Sequence, residues 1–209
     1  MTSLNQYIDR IFYINLERRT DRRAEFEQQM REYGFSSNEY ERLDAHYTPN
    51  LGIVGCGYSH LSVLKLAKAR GYKNVLIFED DFEFLVSPAE FRKRLAHFFE
   101  TVGNNYDVCM MAYNLHESSP GPSDGIGKVG YAQTASAYIV NGAYFDTLIS
   151  LYEWAIPELA ITGKHWIYAN DVIWRDLQVR DRWYFLDPRI GKQRAGFSDN
   201  AASFQDHGC

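Results

Sequence analysis

Residues 75–84 read Val-Leu-Ile-Phe-Glu-Asp-Asp-Phe-Glu-Phe. A short apolar run of this kind suits a buried strand. It ends abruptly in three carboxylates, Glu79, Asp80 and Asp81, and Glu83 follows two residues later. Adjacent acids repel one another, so stability alone does not favour them. A divalent cation reverses that balance, because hard oxygen ligands suit Mn2+ or Mg2+. In open α/β sheets, ligands gather beyond the carboxyl ends of the strands, and the triplet stands at such an end. The plainer reading is an acidic turn that closes a strand and stays in water.

The pattern around this run points to alternating strands and helices. Ile11–Leu16 reads as a first buried strand. Thr20 or Asp21 is placed to cap a following helix, with Phe26, Met30 and Tyr33 at helical spacing and Gly34 as its stop. Arg42–Ala45 suits a short second strand. Pro49, Gly52, Gly55 and Gly57 predict a loop over 48–57, with a helix beginning near Ser59-His60 and ending at Gly71. Ser87-Pro88-Ala89-Glu90 is a capping box with proline at the first helical position. Further strands are expected at Tyr106–Ala112, Tyr131–Val140 and Trp183–Leu186. Helices are expected from Gly142 and from Asn170-Asp171. Residues 114–130, rich in Ser, Pro and Gly, read as a surface loop, and Pro188 begins an irregular tail. Strand–helix alternation in the first half implies a mostly parallel sheet with helices on its faces, and the less regular second half makes it mixed.

At 209 residues the chain suits one domain with a substantial core. Its net charge of −5 argues against a nucleic-acid partner. Arg18, Arg19, Arg22 and Arg23 cluster locally, which suits a small anion better than a polyanion. Cys56, Cys109 and Cys209 fit neither a zinc spacing nor a disulfide framework, and a reducing compartment is expected. No signal peptide and no transmembrane segment are read, so a cytoplasmic protein is expected. No Gly-x-Gly-x-x-Gly follows the first strand, and no Gly-Lys-Ser/Thr is present. Both absences count against dinucleotide-dependent oxidoreductases and P-loop NTPases.

Four ordered blocks resemble glycosyltransferase family 25, which includes lipooligosaccharide and collagen galactosyltransferases. They are Tyr13-Ile14-Asn15-Leu16 with Arg22-Arg23; Gly55-Cys56 with Ser59-His60; Leu76–Asp81; and Ala137–Val140 with Gly142-Ala143, then Asp171 and Gly196–Asp199. The set spans nearly the whole chain. The resemblance implies a GT-A type α/β fold, and inverting transfer of a hexose, usually galactose, from a UDP-sugar to a hydroxyl. It implies a Mn2+ (or Mg2+) cofactor, a glycan, glycolipid or protein acceptor, and a place in lipopolysaccharide-type biosynthesis. One domain over 1–209 is expected, donor-binding to about residue 112 and acceptor-side beyond. The chain departs from the family where Ile53 and Val54 follow Gly52, a place where a glutamate is common, and it is short for the family. A catalytically weak nucleotide-sugar- or glycan-binding protein on the same fold is the alternative.

Residue by residue, Asp81 is the first candidate for direct metal ligation and Asp80 for metal or ribose contact. Glu79 is read as orienting its neighbours rather than ligating, because alternate residues of a strand face opposite ways. Asn15, Arg18 and Arg22 flank the first strand's end, where arginine can grip phosphate or uracil oxygens. His60, expected at a helix N-terminus, is a donor-phosphate candidate. Cys56 beside His60 is read as tight packing rather than as a nucleophile. Asp171 is the candidate general base for the acceptor hydroxyl, with a helix N-cap as its plainer role, and Asp199 is the next candidate.

Overall fold

The computed structural model describes residues 6–198 and 203–205. The chain begins with strand β1 (Arg10–Asn15), helix α1 (Thr20–Glu32), β2 (Tyr40–Asp44), α2 (Gly52–Ala69) and β3 (Asn74–Glu79). Both β2 and β3 pair parallel to β1. This is a right-alternating α/β start whose strands all point their carboxyl ends to one edge. Next come the short β4 (Phe82–Phe84), α3 (Pro88–Val102), β5 (Val108–Met110), β6 (Asn114–Ser123), β7 (Ile126–Gln133) and β8 (Ala137–Asn141). After a 3-10 turn, α4 (Phe145–Thr162), α5 (His165–Tyr168), α6 (Arg175–Arg180), β9 (Trp183–Leu186) and β10 (Gly191–Gln193) follow, and two short strands, β11 (Gly196–Ser198) and β12 (Ser203–Gln205), pair with each other.

Eight strands form the central sheet in the order β2-β1-β3-β8-β5-β9-β7-β6. Only β8 and β7 run against the other six. The mixed, mostly unidirectional α/β sheet expected from the sequence is therefore present.

Strand alternation divides the core into two layers. Phe12, Ile14, Val75 and Ile77 face α2 and α4, while Ile11, Tyr13, Leu76 and Phe78 face α1 and α3. Each fully buried large apolar side chain contributes about 1.5–3 kcal/mol. Helix α3 starts as its sequence dictates: Pro88 opens it, and Ser87 Oγ accepts from the Glu90 amide at 3.3 Å. Phe91, Leu95 and Phe98 are its buried stripe. At α1, by contrast, neither Thr20 nor Asp21 caps; Arg19 precedes the helix and no side chain caps it.

Three expectations are corrected. The predicted loop over 48–57 is helical from Gly52, so Ser59 and His60 lie in mid-helix rather than at an N-terminus. The glycines mislead because they are present for close approach, not for a turn. A Cβ on Gly55 would stand 2.3 Å from the His46 carbonyl oxygen, and one on Gly57 would stand 3.0 Å from Ile156. The predicted surface loop over 114–130 is the β6–β7 hairpin, an edge ribbon whose Ser, Pro and Gly content lies on its exposed strand with register shifts that absorb it. The tail beyond Pro188 is not irregular throughout, since β10 pairs antiparallel with β4.

Gly55→Ala is expected to destabilise the protein by roughly 1–3 kcal/mol through overpacking, despite the roughly 1 kcal/mol that alanine gains in a helix. Urea unfolding of the variant measures the difference, and a stabilised variant would refute the close-approach argument.

Candidate active site

The carboxyl ends of β1 and β3 lie side by side, which brings Asn15 next to the acid turn. Asn15 Nδ2 donates to Asp80 Oδ2 at 2.7 Å. Helix α1 projects Arg22 into the same place, where its Nη1 donates to Asp80 Oδ1 at 3.0 Å and to Asp81 Oδ2 at 2.9 Å. Gln193, delivered by β10, donates to Asp81 Oδ2 at 3.2 Å. The Arg194 amide closes the turn on the Asp81 carbonyl at 2.7 Å. Asp80 and Asp81 are each 8% exposed. Burial pushes both carboxyls up, with Arg22 opposing; for Asp81 the adjacent Glu79 and Asp80 charges add, raising it to about 7. Asp81 Oδ1 is buried and has no partner among the described residues. One guanidinium thus faces a cluster with excess negative charge, and one carboxylate oxygen has no donor. Those are the features a hard cation would satisfy, so Asp81 and Asp80 fit the Mn2+ or Mg2+ that the resemblance implies.

Glu79, the last residue of β3, points elsewhere. Its Oε1 lies 3.1 Å from His60 Nε2 and accepts from Cys56 Sγ at 3.4 Å. His60 is fully buried, and its Nδ1 lies 2.7 Å from the Tyr138 hydroxyl. Burial holds the Cys56 thiol well above its ordinary pKa, with Glu79 adding to the shift. Burial raises the Glu79 carboxyl too, but His60 and then Cys56 outweigh it, leaving the group below its ordinary value.

A cleft of about 620 Å³ opens beside these groups. Cys56, Glu79 and Gln193 line one part of it, and Thr134, Asn170 and Asp171 line another. Gln193 links the cleft wall to the Asp81 carboxylate behind it. Asp171 does not open a helix: it lies in the turn between α5 and α6, and α6 starts after Trp174. Its Oδ2 accepts from the Thr134 amide at 2.9 Å, pinning the β7–β8 junction. Thr134 is held there at a φ of 88°, a conformation costly for a β-branched residue. The expected N-cap role is therefore replaced by a long-range tether.

The fold thus gathers Asn15, Arg22, Asp80 and Asp81 into one network. It places His60 in a second network with Glu79, and puts Asp171 on the cleft. Arg18 has its guanidinium 3.9 Å over the Tyr47 ring. His60 keeps a polar environment but loses the helix-terminus argument for binding phosphate. Asp199 and Cys209 lie outside the described residues. Gln193, Tyr138 and Thr134 join the site without having been read from the sequence. Tyr138 alone carried a signal, since it is a polar tip in the apolar strand Ala137–Val140. Gln193 carried none, because its place depends on a pairing between segments far apart in the chain.

No family model matches this chain. A protein of Drosophila melanogaster named as a glycosyltransferase 25 family member is 25% identical over 164 residues, covering 64% of this chain and 26% of that one. A Mus musculus protein named as inactive glycosyltransferase 25 family member 3 is 30% identical over 118 residues, covering 45% and 19%. The match thus spans about a quarter or less of the length of these curated relatives. Among solved structures, A197 from STIV superposes with a TM-score of 0.50 at 14% identity, over 94% of each chain, which is a likeness of fold.

Arg22→Met leaves two buried carboxylates without their cation, and breaking such a pair costs roughly 3–5 kcal/mol. Asp81→Asn removes like-charge repulsion instead. In chelator, the melting temperature is expected to fall for the first variant and to hold or rise for the second. Equal losses in both would show that Arg22 and Asp81 act only as packing.

Proposed function

We propose that this chain is a metal-dependent, inverting glycosyltransferase that moves a hexose, galactose by family resemblance, from a UDP-sugar to a hydroxyl of a glycan, glycolipid or protein. The observation that carries the reading is the under-neutralised Asp80–Asp81 pair at the ends of β1 and β3, one hydrogen bond behind the wall of a cleft that also holds Asp171. The similarity to glycosyltransferase 25 family members supports it.

In this reading residues 1–112 hold the donor and the remainder meets the acceptor. Asn15 orients Asp80 for the ribose or the cation, and Asp81 is the principal ligand. The cation, when bound, supplies Lewis-acid stabilisation of the charge that gathers on the departing diphosphate. Arg22, placed between the two carboxylates, would hold a phosphate oxygen of the donor beside them. Arg18 reaches the outer part of the donor from its seat on Tyr47. His60 acts through Glu79, holding that carboxylate at the cleft wall. Asp171 takes the proton of the acceptor hydroxyl as the oxygen attacks the anomeric carbon from the face opposite the diphosphate, so that configuration inverts. Its hydrogen bond to the Thr134 amide fixes the carboxylate's direction.

UDP at a hundred times its dissociation constant is expected to stabilise the protein by about 2.7 kcal/mol with Mn2+, and far less with chelator. Calorimetry and thermal shift read this. Equal affinity in both conditions would remove the metal from the donor site. Preference for NAD or ATP would remove the transferase reading.

Asp171→Asn retains an oxygen that can accept from Thr134 but cannot take a proton. A stable variant that binds UDP-sugar normally and transfers about 10²–10⁴-fold more slowly is the expected result. Near-normal turnover would leave Asp171 as a tether alone. Normal donor binding without transfer in the unaltered chain would favour the binding-protein alternative.

A further inference from the structure

Helix α2 and the end of β3 bring a thiol, an imidazole and a carboxylate together beside the cleft. Cys56 and His60 stand four residues apart, which puts them on one helix face. Their donor atoms and a carboxylate oxygen of Glu79 all lie within 4.8 Å of one another. Two of the separations are shorter: 3.1 Å from His60 Nε2 to Glu79 Oε1 and 3.4 Å from Cys56 Sγ to the same oxygen. Ligands held at 2.0–2.3 Å around a tetrahedral ion stand roughly 3.3–3.6 Å apart. Two of the three separations thus lie near the edges of such a tetrahedron, and the third is within 4.8 Å.

We infer that Cys56, His60 and Glu79 form a second cation site, selective for zinc and distinct in chemistry from the all-oxygen Asp80–Asp81 pair. Thiolate and imidazole donors favour Zn2+ over Mn2+ and Mg2+, which prefer oxygen. The support behind His60 matches what metal-bound histidines use. A zinc ion on Nε2 requires the proton on Nδ1, and the Tyr138 hydroxyl stands 2.7 Å from that nitrogen to accept it. Cys56 also has a neighbour suited to its bound state, since the Asn170 side-chain amide lies 3.9 Å from the sulfur. On binding, the Cys56 S–H bond breaks, a sulfur–zinc bond forms and the thiol proton leaves to solvent. Three protein donors leave a tetrahedral ion one open position. Cys56 and Glu79 both line the cleft, so that position gives onto the cleft and takes water or an anionic ligand. The site goes beyond sugar transfer and stands whether or not the chain transfers sugar.

The test uses the full chain, stripped with chelator and titrated with Co2+ as a spectroscopic stand-in for Zn2+. The expected result is a sulfur-to-cobalt charge-transfer band that saturates at one equivalent, with Zn2+ displacing the cobalt and a hundredfold excess of Mn2+ failing to do so. Cys56→Ser abolishes the band, while Cys209→Ser and Asp81→Asn keep it. Tyr138→Phe is expected to weaken Co2+ affinity about 10–100-fold. No band in the unaltered chain would overturn the proposal and leave the three residues as a hydrogen-bonded trio. A band that survives Cys56→Ser would overturn it as well, by assigning the thiolate elsewhere. A Cys56→Ser variant that does not fold leaves the unaltered chain and Cys209→Ser to decide: band in both sustains the site, and loss in Cys209→Ser overturns it.

Discussion

The pairing of Arg22 with Asp80 and Asp81 is the contact on which the arrangement of this edge depends. It joins the first turn of α1 to the turn after β3, across 58 and 59 residues of sequence. Removing charges from water is costly, and only close geometry repays it. Here the geometry is close, with side chains of all three partners only 10–12% exposed. The repayment is nevertheless incomplete, because a single guanidinium serves two carboxylates with Glu79 adjacent. One oxygen of the cluster, Asp81 Oδ1, has no hydrogen-bond partner among the described residues. A fold that only needed a stable turn would place an asparagine or a backbone donor there. On the reading proposed above, that oxygen is the one a cation would reach.

The end of β3 at Glu79, with Asp80 and Asp81 in the turn beyond it, divides the acid triplet between two chemistries. Asp80 and Asp81 face the arginine and amide donors of α1, β1 and β10, while Glu79 faces a histidine and a thiol from α2. Consecutive residues of identical charge thus acquire opposite shifts. Burial dominates for Asp81 and raises it, whereas His60 and Cys56 lower Glu79. The helical glycines Gly55 and Gly57 are what make the second environment possible. They let α2 approach the His46 backbone and α4 closely enough for Cys56 and His60 to reach the strand end.

The early strands, α3 with its cap, and the importance of the Glu79–Asp81 run were legible because each depends on local pattern. Buried strands announce themselves by apolar runs, and Ser-Pro-x-Glu announces a helix start. What was not legible depends on partners distant in the chain. Glycine is ambiguous between a turn and a close contact until the contacting backbone is known, so α2 was started too late and His60 was given the wrong setting. The β6–β7 hairpin was hidden because an edge strand tolerates the same Ser, Pro and Gly content as a loop. Asp171 reads from sequence as a helix start, whereas its partner, the Thr134 amide, follows from the sheet's topology rather than from neighbouring sequence.

The strand β10 has a consequence for the order of assembly. Gln193 meets Asp81 across 112 residues, and the Arg194 amide meets the same turn. A chain made from its N-terminus presents β1, α1, β2, α2 and β3 well before β10, and a domain folds as a unit rather than element by element. The Gln193 and Arg194 contacts to the acid turn therefore form only once the far end of the domain is in place. A change in that distant segment can reshape the carboxylates without touching any residue near them in sequence.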